Sequence, residues 1–303
     1  MPGVFGHPTA AMSIFVIRII NSLLDASVLF LIAGGLSLIY GVMRIVNLAH
    51  GNLYALGAYV AAWTVGHVLG TGPGGLAYLL LLPVGALAAG VVGAVMEPTL
   101  LRPLYKRAEE YQLLVTFGLL LVMDDVIRFI WGPYPLSATP IYEYFGSMRI
   151  LGTPYPAYNL VVIAVGFLAA IFLRAFVYKT KFGVMLRATS QDMRMASALG
   201  VNVKRVYVQA FTLGCAMAGL GGAIIVPAQT AVLGMGVDAL VLSFVVVVVG
   251  GLGSLEGALI GAIIVGFVRT IAISTFPELE LAILYMIAAA VLLVRPAGLF
   301  GRA

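Results

Sequence analysis

The sequence has few charged side chains and almost no cysteine. Charged residues make up only 10% of its 303 residues, whereas a soluble domain carries about 25%. The single cysteine, Cys215, excludes a disulfide within the chain and a cysteine-based metal site. Because 62% of the residues are apolar, a soluble fold would leave large apolar patches in water. The composition therefore predicts an integral membrane protein.

Several functional motifs are also missing. No GxxxxGK[ST] phosphate loop is present, so the chain cannot bind and hydrolyse ATP by that route. The net charge is +5, but the basic residues gather in a few clusters between apolar runs, which argues against a nucleic-acid binder. No span presents a nucleophile with a base, or a cluster of metal ligands. We therefore expect neither an enzyme nor a cofactor or metal site in this chain.

The N-terminus lacks the features of a secretory signal. Residues 1–13 contain no Lys or Arg, and the apolar run from Ile14 to about Tyr40 is too long for the apolar core of a signal peptide. We predict an N-terminal extension, 1–13, followed by a single transmembrane domain, 14–303.

Long apolar runs predict an all-α fold with eight or nine membrane-spanning helices. A span needs about 20 mainly apolar residues, and two of the runs are shorter than that. The candidate spans lie at about 14–40, 52–70, 76–100, 111–131, 158–178, 206–228, 238–250, 257–275 and 280–294.

The positions of Lys and Arg predict the orientation. Most of them lie in 101–110, in 174–205 and in the tail from Arg295. With nine spans these segments share one side, which is the cytoplasm because cytoplasmic loops retain positive charge. The C-terminus is then cytoplasmic and the N-terminus external; one span fewer before residue 76 would reverse the N-terminus. The loop 132–156, rich in Pro, Tyr and Gly, is expected to form an ordered outer cap or a surface for a partner.

Glycine spacing predicts close helix packing. The run from Val245 to Gly261 imitates a dinucleotide-binding fingerprint, but another apolar run follows it directly and no βαβ alternation is present. We expect a glycine-rich break between two packed helices. Small residues also recur every four positions, which lets membrane helices approach closely: Gly85, Ala89 and Gly93, then Gly253, Gly257 and Gly261.

Polar residues interrupt or enter three of the spans. Around Gly51 they predict a helix broken at that glycine near the transport pathway, or an ordinary cytoplasmic turn in which His50 caps a helix. Asp124 and Arg128 are four residues apart, a spacing that favours a local ion pair on a helix. The alternative is a proton or cation relay through this site. A similar pair is expected between Arg18 and Asp25.

The basic loop 179–205 predicts an amphipathic cytoplasmic helix that stops at Gly200. Such a helix suits either the lipid surface or a groove on a soluble protein. Its apolar face would hold Met185, Ala188, Met195, Ala196 and Leu199, opposite Arg187, Gln191 and Arg194.

At this loop the chain resembles the permease subunits of bacterial ATP-binding-cassette importers for branched-chain amino acids. The family's cytoplasmic Ala-Asp-Ala-Gly-Asn pattern is matched by Ala188, Asp192, Ala196, Gly200 and Asn202. The family's early motif is matched by Asn47, Ala49, His50 and Gly51, and its late glycine motif by Gly250, Gly251, Gly253, Ser254, Gly257 and Gly261.

The resemblance implies a fold like that of type II importer permeases and a role as half of an inward pathway for a branched-chain or other hydrophobic amino acid. It implies a location in the bacterial plasma membrane. The implied partners are a homologous second permease, an extracytoplasmic solute-binding protein and two ATPase subunits, which would hold the ATP–Mg. Coupling to the ATPase would fall to Arg187 and the five residues of the cytoplasmic pattern.

We predict that Asn47, His50, Gly51 and Asn52 line the translocation path, because polar groups at membrane depth tend to face a cavity. Many relatives carry an acidic residue where this chain has Asn52, so a permease for urea, short amides or another amino acid is an alternative. From the residues alone, a secondary transporter without an ATPase is a further alternative, with Asp124 and Asp125 as its ion site.

Overall fold

The computed structural model describes residues 8–68, 77–105 and 107–301, and over these the chain is almost wholly helical. The helices are α1 (Pro8–Met43), α2 (His50–Val68), α3 (Ala77–Met96), α4 (Glu109–Trp131), α5 (Thr139–Phe145), α6 (Ala157–Lys179), α7 (Lys181–Gln191), α8 (Met193–Ala198), α9 (Val203–Ile225), α10 (Met235–Gly250), α11 (Leu255–Thr275) and α12 (Glu280–Val294). A π-helical turn, Glu97–Leu101, and a 3₁₀ turn, Arg102–Leu104, follow α3, and a second 3₁₀ turn, Pro277–Leu279, precedes α12.

Each predicted span overlaps one of these helices. In the described ranges, six helical segments are long and apolar enough to cross a membrane: Met12–Met43, Pro83–Leu104, Ala157–Lys179, Val203–Ile225, Leu255–Thr275 and Pro277–Val294. Helix α10 is a shorter apolar helix. The multi-pass helical fold is confirmed, whereas eight or nine crossings stays a prediction. Of the predicted extension, residues 1–7 lie outside the described ranges and 8–13 form the first turns of α1.

Helix α1 lies at the centre of the bundle. It packs against α6, α9, α10 and α11, and 78% of its most apolar stretch is buried. Helix α12 lies at the outside of the bundle, and of its apolar stretch only 11% is buried. The large apolar side chains of the outer helices are therefore the surface available to lipid.

Three helices meet backbone to backbone at Gly57, Gly85 and Gly219. A Cβ atom on Gly57 of α2 would overlap the carbonyl oxygen of Gly219 of α9. One on Gly85 of α3 would lie 2.5 Å from the carbonyl oxygen of Gly57, and one on Gly219 would lie 2.6 Å from that of Gly85. Such approaches maximise dispersion contacts, which hold helices together where lipid removes the hydrophobic force between them.

The late glycine run forms the break between α10 and α11. Gly251 and Gly253 have φ of +107° and +78°, a region that glycine enters without steric cost. Ser254 then caps α11, because its hydroxyl accepts a hydrogen bond of 3.0 Å from the Gly257 amide. The imitation of a dinucleotide fingerprint is therefore a helix break, as predicted.

The segment between α4 and α6 is an ordered cap. It contains α5 and an antiparallel hairpin of β1 (Ser147–Ile150) and β2 (Thr153–Pro156), so the all-α prediction misses this small sheet. The hairpin turns at Leu151 and Gly152, both with positive φ, as a two-residue turn between twisted strands requires. Leu136 and Ala231 exchange backbone hydrogen bonds of 3.0 and 2.8 Å, which tie the cap to the segment before α10.

We predict that Gly57→Ala destabilises the bundle and that Gly118→Ala does not. A methyl group at Gly57 meets the backbone of α9, whereas one at Gly118 of α4 meets nothing within 4 Å. Overpacking costs about 1–3 kcal/mol, while Gly→Ala in an open helix is neutral or favourable by up to about 1 kcal/mol. Thermal unfolding of the two variants in detergent measures the difference. Equal midpoints would contradict the three-helix contact.

Candidate functional site

The basic loop contains two helices, so the prediction of one continuous helix is wrong. Helix α7 ends and α8 begins at Asp192, whose backbone is extended at φ −148° and ψ 100°. The Asp192 carboxylate accepts a hydrogen bond of 2.9 Å from the Met195 amide. Aspartate is favoured at the start of a helix because its carboxylate accepts hydrogen bonds from backbone amides that have no partner within the helix. This local preference starts a new helix at Asp192, although the apolar periodicity continues across it.

The predicted helix end at Gly200 is confirmed. Gly200 has a φ of +86°, its amide donates to the Ser197 carbonyl, and the Val201 amide donates to the Ala196 carbonyl, each at 3.0 Å. This pair of bonds is a Schellman motif, which requires a left-handed residue. Asn202 then caps α9 by accepting a hydrogen bond of 3.1 Å from the Arg205 amide. Asp192, Gly200 and Asn202 of the cytoplasmic pattern thus fix where α8 begins and ends and where α9 begins.

Arg187 and Ala196 hold this segment against the membrane helices. The Arg187 guanidinium donates to the Val177 carbonyl and lies 5.2 Å from the centre of the Tyr178 ring, both at the end of α6. The Ala196 side chain is buried. Ala188 is exposed on α7.

Helix α8 and the residue after it expose three large apolar side chains. Met193, Met195 and Leu199 are 49%, 58% and 78% exposed, and we name these three residues the α8 patch. The charged side chains of Asp192 and Arg194 are exposed beside them. Sequence analysis placed Met195, Leu199 and Ala196 on one face and missed Met193, because the break at Asp192 rotates α8 relative to α7. Exposed apolar residues rimmed by polar ones mark interaction surfaces.

The break after α1 precedes Gly51, so the predicted position of the break is wrong. Helix α1 ends at Met43, and Arg44 takes a left-handed φ of +54°. Asn47 closes the turn by accepting a hydrogen bond of 3.1 Å from the Ala49 amide, and α2 begins at His50. Gly51 lies inside α2, where a Cβ atom would overlap the Gly236 carbonyl of α10.

The polar residues of this junction are fully buried and join three helices. Asn47, His50 and Asn52 all have 0% exposure. His50 Nε2 donates to the Ile32 carbonyl of α1 at 3.1 Å, and Asn52 Nδ2 donates to the Leu120 carbonyl of α4 at 2.5 Å. Asn47 Nδ2, His50 Nδ1 and Asn52 Oδ1 have no hydrogen-bond partner among the residues that the structure describes. In this conformation the junction connects helices; its place on the translocation path stays a prediction.

A charged network lies at the middle of α1. Arg269 of α11 binds the Asp25 carboxylate through Nη1 at 3.3 Å and the Glu280 carboxylate through Nε at 2.6 Å. Thr270 donates a further bond of 3.2 Å to Asp25. The predicted pairing of Arg18 with Asp25 is wrong: Arg18 is exposed. The sequence signal that could have found Arg269 is its isolation as an ionisable residue inside a span.

The charged residues of α4 are not paired with one another. Asp124 is half-buried and Asp125 and Arg128 are exposed, and the ion pairs of the described ranges do not include the predicted one between Asp124 and Arg128. A relay through this site stays a prediction. No group of three or more His, Cys, Asp or Glu within the described ranges is placed to hold a metal ion.

Comparison with known proteins decides the family. The model of the permease component of branched-chain amino acid transport systems matches residues 18–294. The chain belongs to this family, whose members it resembles along nearly its whole length. It is therefore a multi-pass membrane protein and a transport permease.

Similar proteins are permeases from bacteria and an archaeon. The high-affinity branched-chain amino acid permease protein LivH of Salmonella typhimurium is 27% identical, covering 95% of this chain and 96% of that one. BraD of Pseudomonas aeruginosa is 25% identical, covering 94% and 95%. A probable LivH of Methanocaldococcus jannaschii is 29% identical, covering 81% and 77%. Among solved structures, PsaBC of Streptococcus pneumoniae in complex with Fab gives a TM-score of 0.48 at 15% identity, covering 94% of each chain.

We predict that Asn52→Asp destabilises the junction at neutral pH. A carboxylate cannot donate to the Leu120 carbonyl, and at 0% exposure its charge has no solvent. The loss of a buried bond with a charge left unpaired costs about 3 kcal/mol or more. Asn202→Asp is the matched control, because Asn202 is exposed and Asp caps a helix as well as Asn. Thermal unfolding in detergent at pH 7 compares the two variants, and equal midpoints would contradict the assigned contact.

Proposed function

We propose that this chain is the permease subunit of an ATP-driven importer of branched-chain amino acids in the bacterial plasma membrane. The observation that carries the proposal is the family match over residues 18–294, together with relatives named as branched-chain amino acid permeases over 94–95% of the chain. The chain forms half of the translocation pathway and carries no ATPase site of its own. ATP and Mg²⁺ bind to partner subunits, and an extracytoplasmic binding protein delivers the solute.

The second half of the pathway is a homologous permease. Two permease proteins of one organism support this: LivH of Escherichia coli strain K12 is 27% identical to this chain, and LivM of the same strain is 24% identical and covered over 68% of its length. Two homologues that function together would form a pseudo-symmetric pair, the commonest arrangement of related subunits.

The α8 patch is the docking surface for the ATPase subunit. Its support is an exposed apolar surface within a basic loop, held by capped helix ends that fix its orientation. A short amphipathic helix in a groove is a recurrent way to bind a protein partner. Asp192, Ala196, Gly200 and Asn202 act by shaping the turn, and Arg187 acts by tying it to α6. Ala188 belongs to the same segment.

We assign this surface and the C-terminus to the cytoplasm and the N-terminus and the cap to the outside. The support is the positive charge of the loops at 101–110 and 174–205, which cytoplasmic loops retain, together with the predicted nine crossings. The junction at Asn47, His50, Gly51 and Asn52 then lies inside the bundle, where His50 bonds to Ile32 of α1 and Gly51 packs against Gly236 of α10. The buried polar atoms of the junction that lack a hydrogen-bond partner among the described residues cost free energy in this conformation. In another conformation of the permease these atoms would be available to bind the solute.

We predict that Met195→Glu prevents docking of the ATPase and leaves the fold intact. A buried contact replaced by a charge costs about 2 kcal/mol or more of binding free energy. Met148→Glu on β1 is the matched control, because Met148 is 42% exposed and Met195 is 58% exposed, and Met148 lies in the cap. Pull-down of the tagged chain from native membranes measures the ATPase recovered. Recovery of equal amounts of ATPase with both variants would contradict the assignment of the α8 patch as the docking surface.

The function itself is tested with the complex purified from its native host by a tag on this chain. Mass spectrometry should recover an ATPase and a second permease, and proteoliposomes containing the complex and its binding protein should take up leucine when ATP is enclosed on the ATPase side. A secondary transporter would instead take up leucine without an ATPase and stop when the proton gradient is abolished. Uptake of urea or an amide, but not of leucine, would redirect the solute assignment.

A further inference from the structure

A cavity of about 210 Å³ lies between α1, α2, α10 and α11. It begins next to Gln229 and Thr230, in the segment that joins α9 to α10 at the end assigned above to the outside, and it extends inward to Asp25 and Ile32 of α1 and Tyr54 of α2. Its polar side chains include Asp25, Asp238 and Arg269. Ionisable residues at such depth are expensive, and they mark solute or ion pathways.

The charges around the cavity are not balanced. Asp25 is bound by Arg269 and Thr270, and Arg269 is also bound by Glu280. Asp238 lines the same cavity, is exposed, and its carboxylate has neither a hydrogen bond nor an ion pair to any described residue. It lies in the first turn of α10, where the helix dipole favours its negative charge. An unpaired carboxylate remains, and it suits an ammonium group.

Arg269 retains donors for an anion. Its Nε and Nη1 atoms bind Glu280 and Asp25, and its Nη2 atom has no bond to a described residue. Guanidinium groups bind carboxylates through several donors at once. The two carboxylates that hold Arg269 fix its position without using every donor.

Apart from Tyr54, Gln229 and Thr230, the rest of the wall is apolar. Val28, Leu29 and Ile32 of α1 line one side of the cavity, and Leu242 of α10 lines another. The volume of about 210 Å³ is below the range of roughly 300–1,000 Å³ that is typical of sites for drug-sized ligands. The cavity therefore suits a ligand of amino-acid size with a charged end and an apolar end.

We propose that this cavity binds a hydrophobic amino acid as its zwitterion on the way through the permease. The Asp238 carboxylate takes the ammonium group, the free donors of Arg269 take the carboxylate, and the α1 wall takes the side chain. The inference rests on the proposed function and deepens it, because it assigns an outer solute site to residues of this one chain.

The first test measures uptake and ATP hydrolysis separately in the purified complex supplied with leucine-loaded binding protein. Asp238→Asn removes the charge with little change of shape. We expect leucine uptake to fall about tenfold or more, as for the loss of a hydrogen bond to a charged group, while ATP hydrolysis stimulated by the binding protein is retained. Asp238→Glu should restore part of the uptake. Glu278→Gln is the matched control, because Glu278 is exposed in the turn before α12 and does not line the cavity.

Three results would overturn the site. The first is uptake by Asp238→Asn equal to that by Glu278→Gln. The second is a joint loss of uptake and ATP hydrolysis in Asp238→Asn, which would show a structural role. The third is an Asp238→Glu variant as inactive as Asp238→Asn. Failure of the wild-type complex to import leucine with ATP would instead overturn the proposed function, so the two failures are distinguishable.

The second test identifies the chemistry of the ligand. Val232→Cys places a thiol at the cavity, and the native Cys215 is buried, so a membrane-impermeant maleimide reports on the new thiol. Leucine should slow the labelling. 3-Methylbutylamine, which lacks the carboxylate, should protect less, and 4-methylpentanoate, which lacks the ammonium group, should not protect. Protection should be lost when Asp238→Asn is added. Protection by the amine equal to that by leucine would replace the zwitterion site with a simple cation site.

Discussion

The close approach of glycine backbones is the constraint on which the rest of the structure depends. In lipid, helices gain little from hiding apolar surface, so dispersion contacts and the few polar links must hold them. Gly35 of α1 faces Gly214 of α9, where a Cβ atom on either would meet the other's carbonyl oxygen. Gly266 of α11 lies against Ala26 of the same central helix, with a Cβ-to-nitrogen distance of 2.7 Å. These contacts bring α1 close enough to its neighbours for polar side chains to meet across the bundle.

The places where the helices stop follow from the same physics. Backbone groups freed inside a bilayer need partners within the protein. After α1 the partner is the Asn47 side chain. Before α11 the partner is the Ser254 hydroxyl, and the backbone carbonyl of Ser254 accepts a 3.0 Å hydrogen bond from the Ser37 hydroxyl of α1. Both breaks therefore pack against α1 or continue from it, and they carry motifs by which the family is recognised. One role of these motif residues is therefore to bind the backbone groups that are left without partners where the helices end.

Local chemistry allowed much of the fold to be predicted from sequence, and long-range contacts limited the rest. The spans were located because length and hydropathy are properties of a continuous segment, and the helix end at Gly200 because a left-handed residue favours glycine. The break at Asp192 was missed because apolar periodicity continues across it, and the break after Met43 was placed at Gly51 because a glycine is a stronger local signal than Asn47. Asp25 was paired with Arg18 because Arg269 lies 244 residues away, a separation that no local pattern reports.

Helix α1 connects the cytoplasmic loop helix α7 to the cavity. At 36 residues and 1.5 Å per residue, it is about 54 Å long. Helix α7 packs against α1, and α1 also carries Asp25 and the apolar wall of the cavity. Because a packed interface shifts between discrete arrangements and does not deform smoothly, a displacement of α7 would act on a rigid helix that forms part of the proposed solute cavity. The ion pair of Asp25 with Arg269 joins that helix to α11, and the ion pair of Arg269 with Glu280 extends the link to α12. A displacement that begins at the proposed ATPase surface would therefore reach the walls of the cavity.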